Sequence, residues 1–221
     1  MNGLRDSLLL YAVTDRAWLS AAPAGCDTLD RQVEEAILGG TTIVQLREKN
    51  LDDVRFIELA RQLKRVTDAY SVPLIINDHL RVAVETDAAG LHIGQDDGNV
   101  RQIRGLLGKG KILGVSAQTV AQALAAEADG ADYLGVGAVF PTSTKRDAAD
   151  VPLKTLADIC AAVRIPVVAI GGICADNVRL LAGSGIAGIS VVSALFARPS
   201  RVREAARQLK ALAAEACAKR R

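Results

Sequence analysis

An eight-stranded (β/α) barrel is the fold this chain predicts, on three observations. Short apolar runs rich in Val, Ile and Leu alternate with helix-patterned stretches along the 221 residues. These runs are apolar nearly throughout, as strands of a parallel sheet covered on both faces must be. Eight such units in a chain of this length fall at the small end of the range for such barrels. A doubly wound open sheet, the alternative, would need a glycine fingerprint at the first strand-to-helix turn, and YAVTDRAW (11–18) has none.

The expected strands are LLLYAVTD (8–15), TTIVQLRE (41–48), VPLIIND (72–78), GLHIGQ (90–95), KILGVSA (111–117), ADYLGVGAVF (131–140), VVAIGG (167–172) and GISVVSALF (188–196). Between them, LDDVRFIELARQLKRVTDAY (51–70) places Val54, Ile57, Leu59, Leu63 and Val66 at helical spacing. TVAQALAAEADG (119–130) opens on Thr119 and closes on Gly130, and SRVREAARQLKALAAEACAK (200–219) has Ser200 in position to cap it. Gly39-Gly40, Gly130 and Gly183-Ser184-Gly185 each precede a strand, where glycine supplies the left-handed helix C-cap. No linker or shift in composition divides the chain, so a single barrel domain over 1–221 is expected.

Composition narrows the class. Hydrophobic residues make up 50% and aromatic residues only 3%, which favours layered helix and strand packing over an aromatic-rich sandwich. The net charge of +2 comes from scattered residues, without the basic stripe of a nucleic-acid protein. Cys26, Cys160, Cys174 and Cys217 form no CxxC pair and match no zinc spacing, so they read as reduced thiols of a cytoplasmic protein. LLLYAV (8–13) is too short and too soon broken by Asp15 and Arg16 for a signal peptide or a membrane span. The oligomeric state is left open, a homo-oligomer included.

In such a barrel the chemistry sits on the loops after the C-terminal strand ends. The ends of strands two to eight deliver Gln45, Arg47 and Lys49; Asn77 and Asp78; Gln95, Asp96 and Asp97; Ser116 and Gln118; Thr142, Ser143, Thr144 and Lys145; Gly171 and Gly172; and Ser193. The opposite joins are mainly Gly, Ala and Pro. Asp78 and Asp97, on neighbouring strands, suit Mg²⁺, which takes oxygen ligands and bridges substrate phosphates. Arg47, Lys49 and Lys145 supply cations, Arg by bidentate grip and Lys as a point charge. The set reads as a site for a magnesium-bound diphosphate. Gly171-Gly172 and the end of the last strand lie where barrels often hold a second phosphate through backbone N–H groups. His92, inside a strand, reads as a packed core histidine as readily as a catalyst, and His79 as a helix cap.

The same residues carry a family resemblance. YAVTD (11–15), VQLREK (44–49), IINDHLRVA (75–83), GLHIGQDD (90–97), LGVSAQT (113–119), GADYLGVGAVFPTSTK (130–145), VVAIGGI (167–173) and ISVVSALF (189–196) run in order through nearly the whole chain. It resembles the thiamine phosphate synthases, also called thiamine-phosphate pyrophosphorylases. The resemblance implies a (β/α)₈ barrel and a transferase that joins an aminopyrimidine methyl diphosphate to a thiazole phosphate, releasing pyrophosphate. It implies that Gln45, Arg47, Lys49, Asn77 and Lys145 hold the pyrimidine diphosphate, that Asp78 and Asp97 hold Mg²⁺, and that Ser116 lies near the pyrophosphate. It assigns the thiazole phosphate to Thr142, Thr144, Gly172, Val192 and Ser193. Of these, Arg47, Lys49, Ser116 and Lys145 would serve the chemical step.

Two positions depart from the family pattern. Gly137-Ala138 stands where Gly-Pro is common, which is expected to loosen the loop beyond it. Gln118 stands where many relatives carry His, which weighs against a related thiazole tautomerase, the nearest alternative. A non-catalytic phosphate-binding barrel, the other alternative, has no reason to keep both Asp78 and Asp97. The long polar segment PTSTKRDAADVP (141–152) is expected to act as a lid that keeps water from an ionising substrate.

Overall fold

A computed structural model describes residues 3–142 and 150–218. Eight parallel strands close in sequence order: β1 Leu10–Val13, β2 Ile43–Leu46, β3 Leu74–Asn77, β4 Gly90–Ile93, β5 Ile112–Ala117, β6 Tyr133–Val136, β7 Val167–Ile170 and β8 Gly188–Val191. The ring is sealed where Leu10, Tyr11 and Ala12 of β1 pair with Ile189, Ser190 and Val191 of β8. Ahead of the barrel lies a single turn, α1 Leu4–Ser7. The outer layer is α2 Leu29–Gly39, α3 Asp53–Ala69, α4 Leu80–Glu85, α5 Val100–Leu107, α6 Val120–Ala128, α7 Leu153–Ala162, α8 Ser193–Phe196 and α9 Val202–Cys217.

Period-two alternation divides each strand between two cores. Leu10 and Ala12, Val44 and Leu46, Leu74 and Ile76, and Leu91 and Ile93 face the helices in one apolar cluster. Tyr11, Val13, Ile43, Ile75, Tyr133 and Val168 fill the barrel interior in another. Both faces are apolar, and that is why the strands read as continuous runs.

The helix starts follow their caps. Thr28, Asp52 and Asn99 each accept a backbone N–H of the first turn. Thr119 forms a full capping box with Gln122. Ser200 does not cap α9: it lies in the 3-10 turn Pro199–Arg201, and Arg201 precedes the helix without a side-chain cap. Gly40, Gly130, Gly183 and Gly185 have positive φ, as their C-cap placement requires. Gly39 has a different role. A Cβ there would lie 2.4 Å from the Arg203 carbonyl oxygen, so its missing side chain lets α2 pack close on α9.

Two expected strands end well short, and one expected helix changes type. The sixth strand stops at Val136 and the eighth at Val191, because the apolar residues beyond them are buried in other ways. Ala138 and Val139 are buried in a loop, and Leu195 and Phe196 in α8. The unit after β7 carries only the 3-10 helix Val178–Leu181 where an α-helix was expected. Of the loop beyond Gly137-Ala138, the described residues on either side of 143–149 are tied to the barrel. Val139 and Phe140 donate to the carbonyls of Ile170 and Gly171 at 3.0 and 3.2 Å, and Val151 donates to Ala138 at 2.8 Å. The expected lid falls largely on 143–149, including Thr144 and Lys145, which lie outside the described residues. Among the described residues, no helix is long and apolar enough to cross a membrane.

Candidate active site

The C-terminal end of β2 is built by β1 and the segment after it. Thr14, fully buried, accepts the Arg47 backbone N–H at 3.1 Å. Asp15 caps the 3-10 helix Arg16–Ala21 by accepting the Ala17 N–H. That turn aims Arg16 at Glu48, with Nε to Oε1 at 2.8 Å and only 6% of the Glu48 side chain exposed. The three adjacent charges Arg47-Glu48-Lys49 therefore divide. Glu48 is drawn aside into a structural pair, whereas neither Arg47 nor Lys49 has a carboxylate partner among the described residues.

Asp78 comes directly after β3 with φ +60°. Left-handed backbone is uncommon for a residue with a side chain, although Asp is among those that tolerate it. The other such residues with side chains among the described residues, Ser71 and Asp87, end helices at the opposite face. Asp78 is held by its N–H bond to the His92 carbonyl at 2.8 Å, and its carboxylate accepts from the Asn77 amide. After β4 the chain folds back so that Asp97 Oδ2 accepts the Gly94 N–H at 2.6 Å, and Gln95 reaches across to the Ser116 carbonyl at 2.6 Å. Since β3 and β4 are paired with Asn77 opposite His92, both carboxylates stand at adjoining strand ends, and both residues are exposed.

The ends of β7 and β8 form a second locus. Ile170 pairs with Ser190, which brings Gly171-Gly172 beside Val192 and Ser193. Both glycines have positive φ, and a Cβ on Gly172 would lie 2.4 Å from the Pro141 carbonyl oxygen. The loop after β6 thus lies directly on this turn, so the glycines are required by the protein's own backbone. Asn177 clamps the turn, donating to the Gly172 carbonyl and accepting the Cys174 N–H, both at 2.9 Å. Ser193 opens the single turn α8 and is exposed. Thr142 is half-buried at the edge of the described residues.

Between the two loci, polar side chains line the barrel interior. Gln45 Nε2 is 2.8 Å from Tyr11 OH, and Tyr11 OH is 2.8 Å from Tyr133 OH. Tyr133 OH is 2.9 Å from His92 Nδ1, and His92 Nε2 is 3.0 Å from Ser116 Oγ. Burial pushes both tyrosine hydroxyls well up from their ordinary value, so both stay protonated. Room for the two rings comes from glycine. A Cβ on Gly114 would lie 2.1 Å from the Tyr133 ring, and one on Gly135 3.1 Å from the His92 ring. Sequence reasoning passed over Tyr11, Tyr133, Asn177 and the Arg16–Glu48 pair. The only signal for the tyrosines was a hydroxyl-bearing residue at the inward register of an otherwise apolar strand.

Of the residues expected at the site, Gln45, Arg47, Lys49, Asn77, Asp78, Asp97 and Ser116 sit at the ends of β2 to β5, and Gly172, Val192 and Ser193 at those of β7 and β8. Thr144 and Lys145 lie outside the described residues.

Comparison with known proteins shows the family. A family model described as thiamine monophosphate synthase matches residues 10–195. The chain is 51% identical over 189 residues to a thiamine-phosphate synthase of Clostridium tetani, covering 86% of this chain and 88% of that one. It is 52% identical over 192 residues to thiamine-phosphate synthase 2 of Streptococcus pneumoniae, covering 87% and 89%. The solved thiamine phosphate pyrophosphorylase from Pyrococcus furiosus superposes with a TM-score of 0.87 at 36% identity, covering 98% of this chain and all of that one. The chain belongs to the thiamine monophosphate synthase family.

Proposed function

We propose that this chain is a thiamine-phosphate synthase, a transferase that joins an aminopyrimidine methyl diphosphate to a thiazole phosphate with release of pyrophosphate. The observation that carries the reading is the division of the top face into two anion loci. Arg47 and Lys49, without a carboxylate partner among the described residues, follow β2 beside the strand ends that carry Asp78 and Asp97, and the Gly171-Gly172 turn stands with Val192 and Ser193 on the other side. Two phosphorylated substrates need two such places, held in one geometry for reaction.

The carboxylates fit Mg²⁺. Asp78 and Asp97 offer oxygen donors alone, and among the described residues no three His, Cys, Asp or Glu cluster as a full protein cage. A hard cation that keeps waters and shares phosphate oxygens suits a two-carboxylate site. When bound, it neutralises the charge that builds on the departing diphosphate. Arg47 grips diphosphate oxygens in a fork, and Lys49 adds a point charge. Lys145 is assigned to the same group, and Thr144 to the thiazole phosphate with Thr142, Gly172, Val192 and Ser193.

The carbon–oxygen bond to diphosphate breaks with its electron pair leaving on oxygen, and the thiazole nitrogen lone pair forms the new carbon–nitrogen bond. No proton is transferred, so no general base is required. The work of the site is to stabilise the leaving group and align the nucleophile. That accounts for a top face rich in anion ligands. A reaction of this kind on small phosphorylated metabolites belongs in the cytoplasm. The test is to incubate the protein with both precursors, with and without Mg²⁺, and measure thiamine phosphate. Formation that depends on both precursors and on the metal supports the reading, and none formed with all three present ends it.

A further inference from the structure

The hydrogen-bonded chain from Gln45 to Ser116 has a direction. Gln45 Nε2 can only donate, so the Tyr11 oxygen accepts from it. Tyr11 then gives its one proton to Tyr133, and Tyr133 gives its own to His92 Nδ1. A neutral imidazole that accepts at Nδ1 carries its proton on Nε2, and that proton goes to Ser116 Oγ. At the two ends, the Gln45 carboxamide leaves its oxygen for an outside donor, and Ser116 leaves its hydroxyl proton for an outside acceptor. Each tyrosine hydroxyl and the neutral imidazole has one proton to give, so turning one link without the others leaves a buried group unpaired. The low dielectric around buried Gln45, Tyr11, Tyr133 and His92 makes any broken link costly.

We propose that Tyr11, Tyr133 and His92 are positioning residues that fix His92 as the Nε2–H tautomer, so that Gln45 faces the substrate as an acceptor and Ser116 as a donor. The ligand's identity rests on the synthase reading. An aminopyrimidine methyl diphosphate supplies the complement, with an exocyclic amine to donate and ring-nitrogen and diphosphate acceptors. A pyrimidine carrying an oxo group in place of that amine would set two acceptors against each other at Gln45. The chain is thus a device for selecting the amino form.

The first test needs no substrate. The sequence has two histidines, so ¹⁵N-histidine spectra of the full chain resolve the His92 tautomer, with His79→Asn giving the assignment. The wild-type spectrum should show Nδ1 unprotonated and Nε2 protonated. Gln45→Glu, whose carboxylate can only accept from Tyr11, should reverse the whole chain and move the proton to Nδ1, three hydrogen bonds away. An Nδ1–H tautomer in the wild type, or no change in Gln45→Glu, overturns the proposal; the wild-type spectrum decides alone if the variant does not fold. The second test uses turnover. Tyr133→Phe should raise KM for the pyrimidine diphosphate about tenfold, the equivalent of one lost hydrogen bond, with KM for the thiazole phosphate unchanged. An equal rise in both would make Tyr133 a general packing residue. If no thiamine phosphate forms while the spectra behave as stated, the synthase reading fails and the directed chain stands. If synthesis proceeds with the wrong tautomer, the proposal alone falls.

Discussion

The two ends of the barrel use the same residue types to opposite effect. At the N-terminal end polar groups satisfy one another. Arg104 donates to the carbonyls of Gly108, Lys111 and Gly130 at 2.8–2.9 Å and pairs with Asp132, which also accepts the Leu113 N–H. Glu127 accepts the N–H groups of Arg164 and Ile165 at 2.8 and 3.1 Å. At the C-terminal end, Arg47 and Lys49 have no carboxylate partner among the described residues, and Asp78 sits in left-handed backbone. The N-terminal end joins helices to strands, and the C-terminal end is the one we propose to hold ligands. The comparison teaches that charge alone does not mark a candidate site; cations without a carboxylate partner among the described residues, beside left-handed backbone, do.

The sharpest way to break this contrast is to remove a carboxylate at the top. Asp78→Ala and Asp97→Ala should each lower turnover about a hundredfold or more, the scale for removing a group that stabilises developing charge, with little loss of fold. Turnover against Mg²⁺ concentration, beside a melting curve, checks both parts. Arg47→Ala and Lys49→Ala should come next in size, weakening the diphosphate substrate at least about tenfold while sparing the thiazole phosphate. Separate titrations of the two substrates show whether the loci are independent, and equal weakening would merge them.

Arg104→Ala should do the reverse, lowering stability by about 2–4 kcal/mol through its lost carbonyl and carboxylate bonds while leaving turnover intact below the melting point. Asp78→Gly and Ser71→Gly form a matched pair. Both relieve a positive φ and should be neutral to about 1 kcal/mol more stable, yet only Asp78→Gly should lose activity.

The smallest effect concerns two thiols near the C-terminal ends of α7 and α9. Burial pushes Cys160 and Cys217 up to about 11. A thiol raised above its unfolded value keeps its full stabilising contribution below the ordinary cysteine range and loses it as pH rises toward 11. The melting temperature should fall over that alkaline interval, and fall less in the Cys160→Ser, Cys217→Ser double variant.

Much of this was legible from residue patterns. All eight strands were, because continuous Val, Ile and Leu runs mean burial on both faces. Their ends were less so, since the apolar residues of 138–139 and 195–196 are buried in a loop and a helical turn, and apolarity reports burial without reporting extension. Charged ligands after the strands stood out because charge interrupts an apolar run. The Tyr11–Tyr133–His92 chain did not, because a buried hydroxyl or imidazole within a strand is indistinguishable from core until its partners on other strands are known. For the same reason Glu48, between Arg47 and Lys49 in sequence, could not be told from a site residue until Arg16 was found across from it.

The most direct test of the account compares three proteins in one assay: wild type, Asp97→Ala and Arg104→Ala, each given both precursors and Mg²⁺ well below its melting temperature. Wild type and Arg104→Ala should form thiamine phosphate at matching rates, and Asp97→Ala should form almost none. Equal rates in all three, or a loss in Arg104→Ala as deep as that in Asp97→Ala, would contradict the assignment of chemistry to the top of the barrel and stability to the bottom.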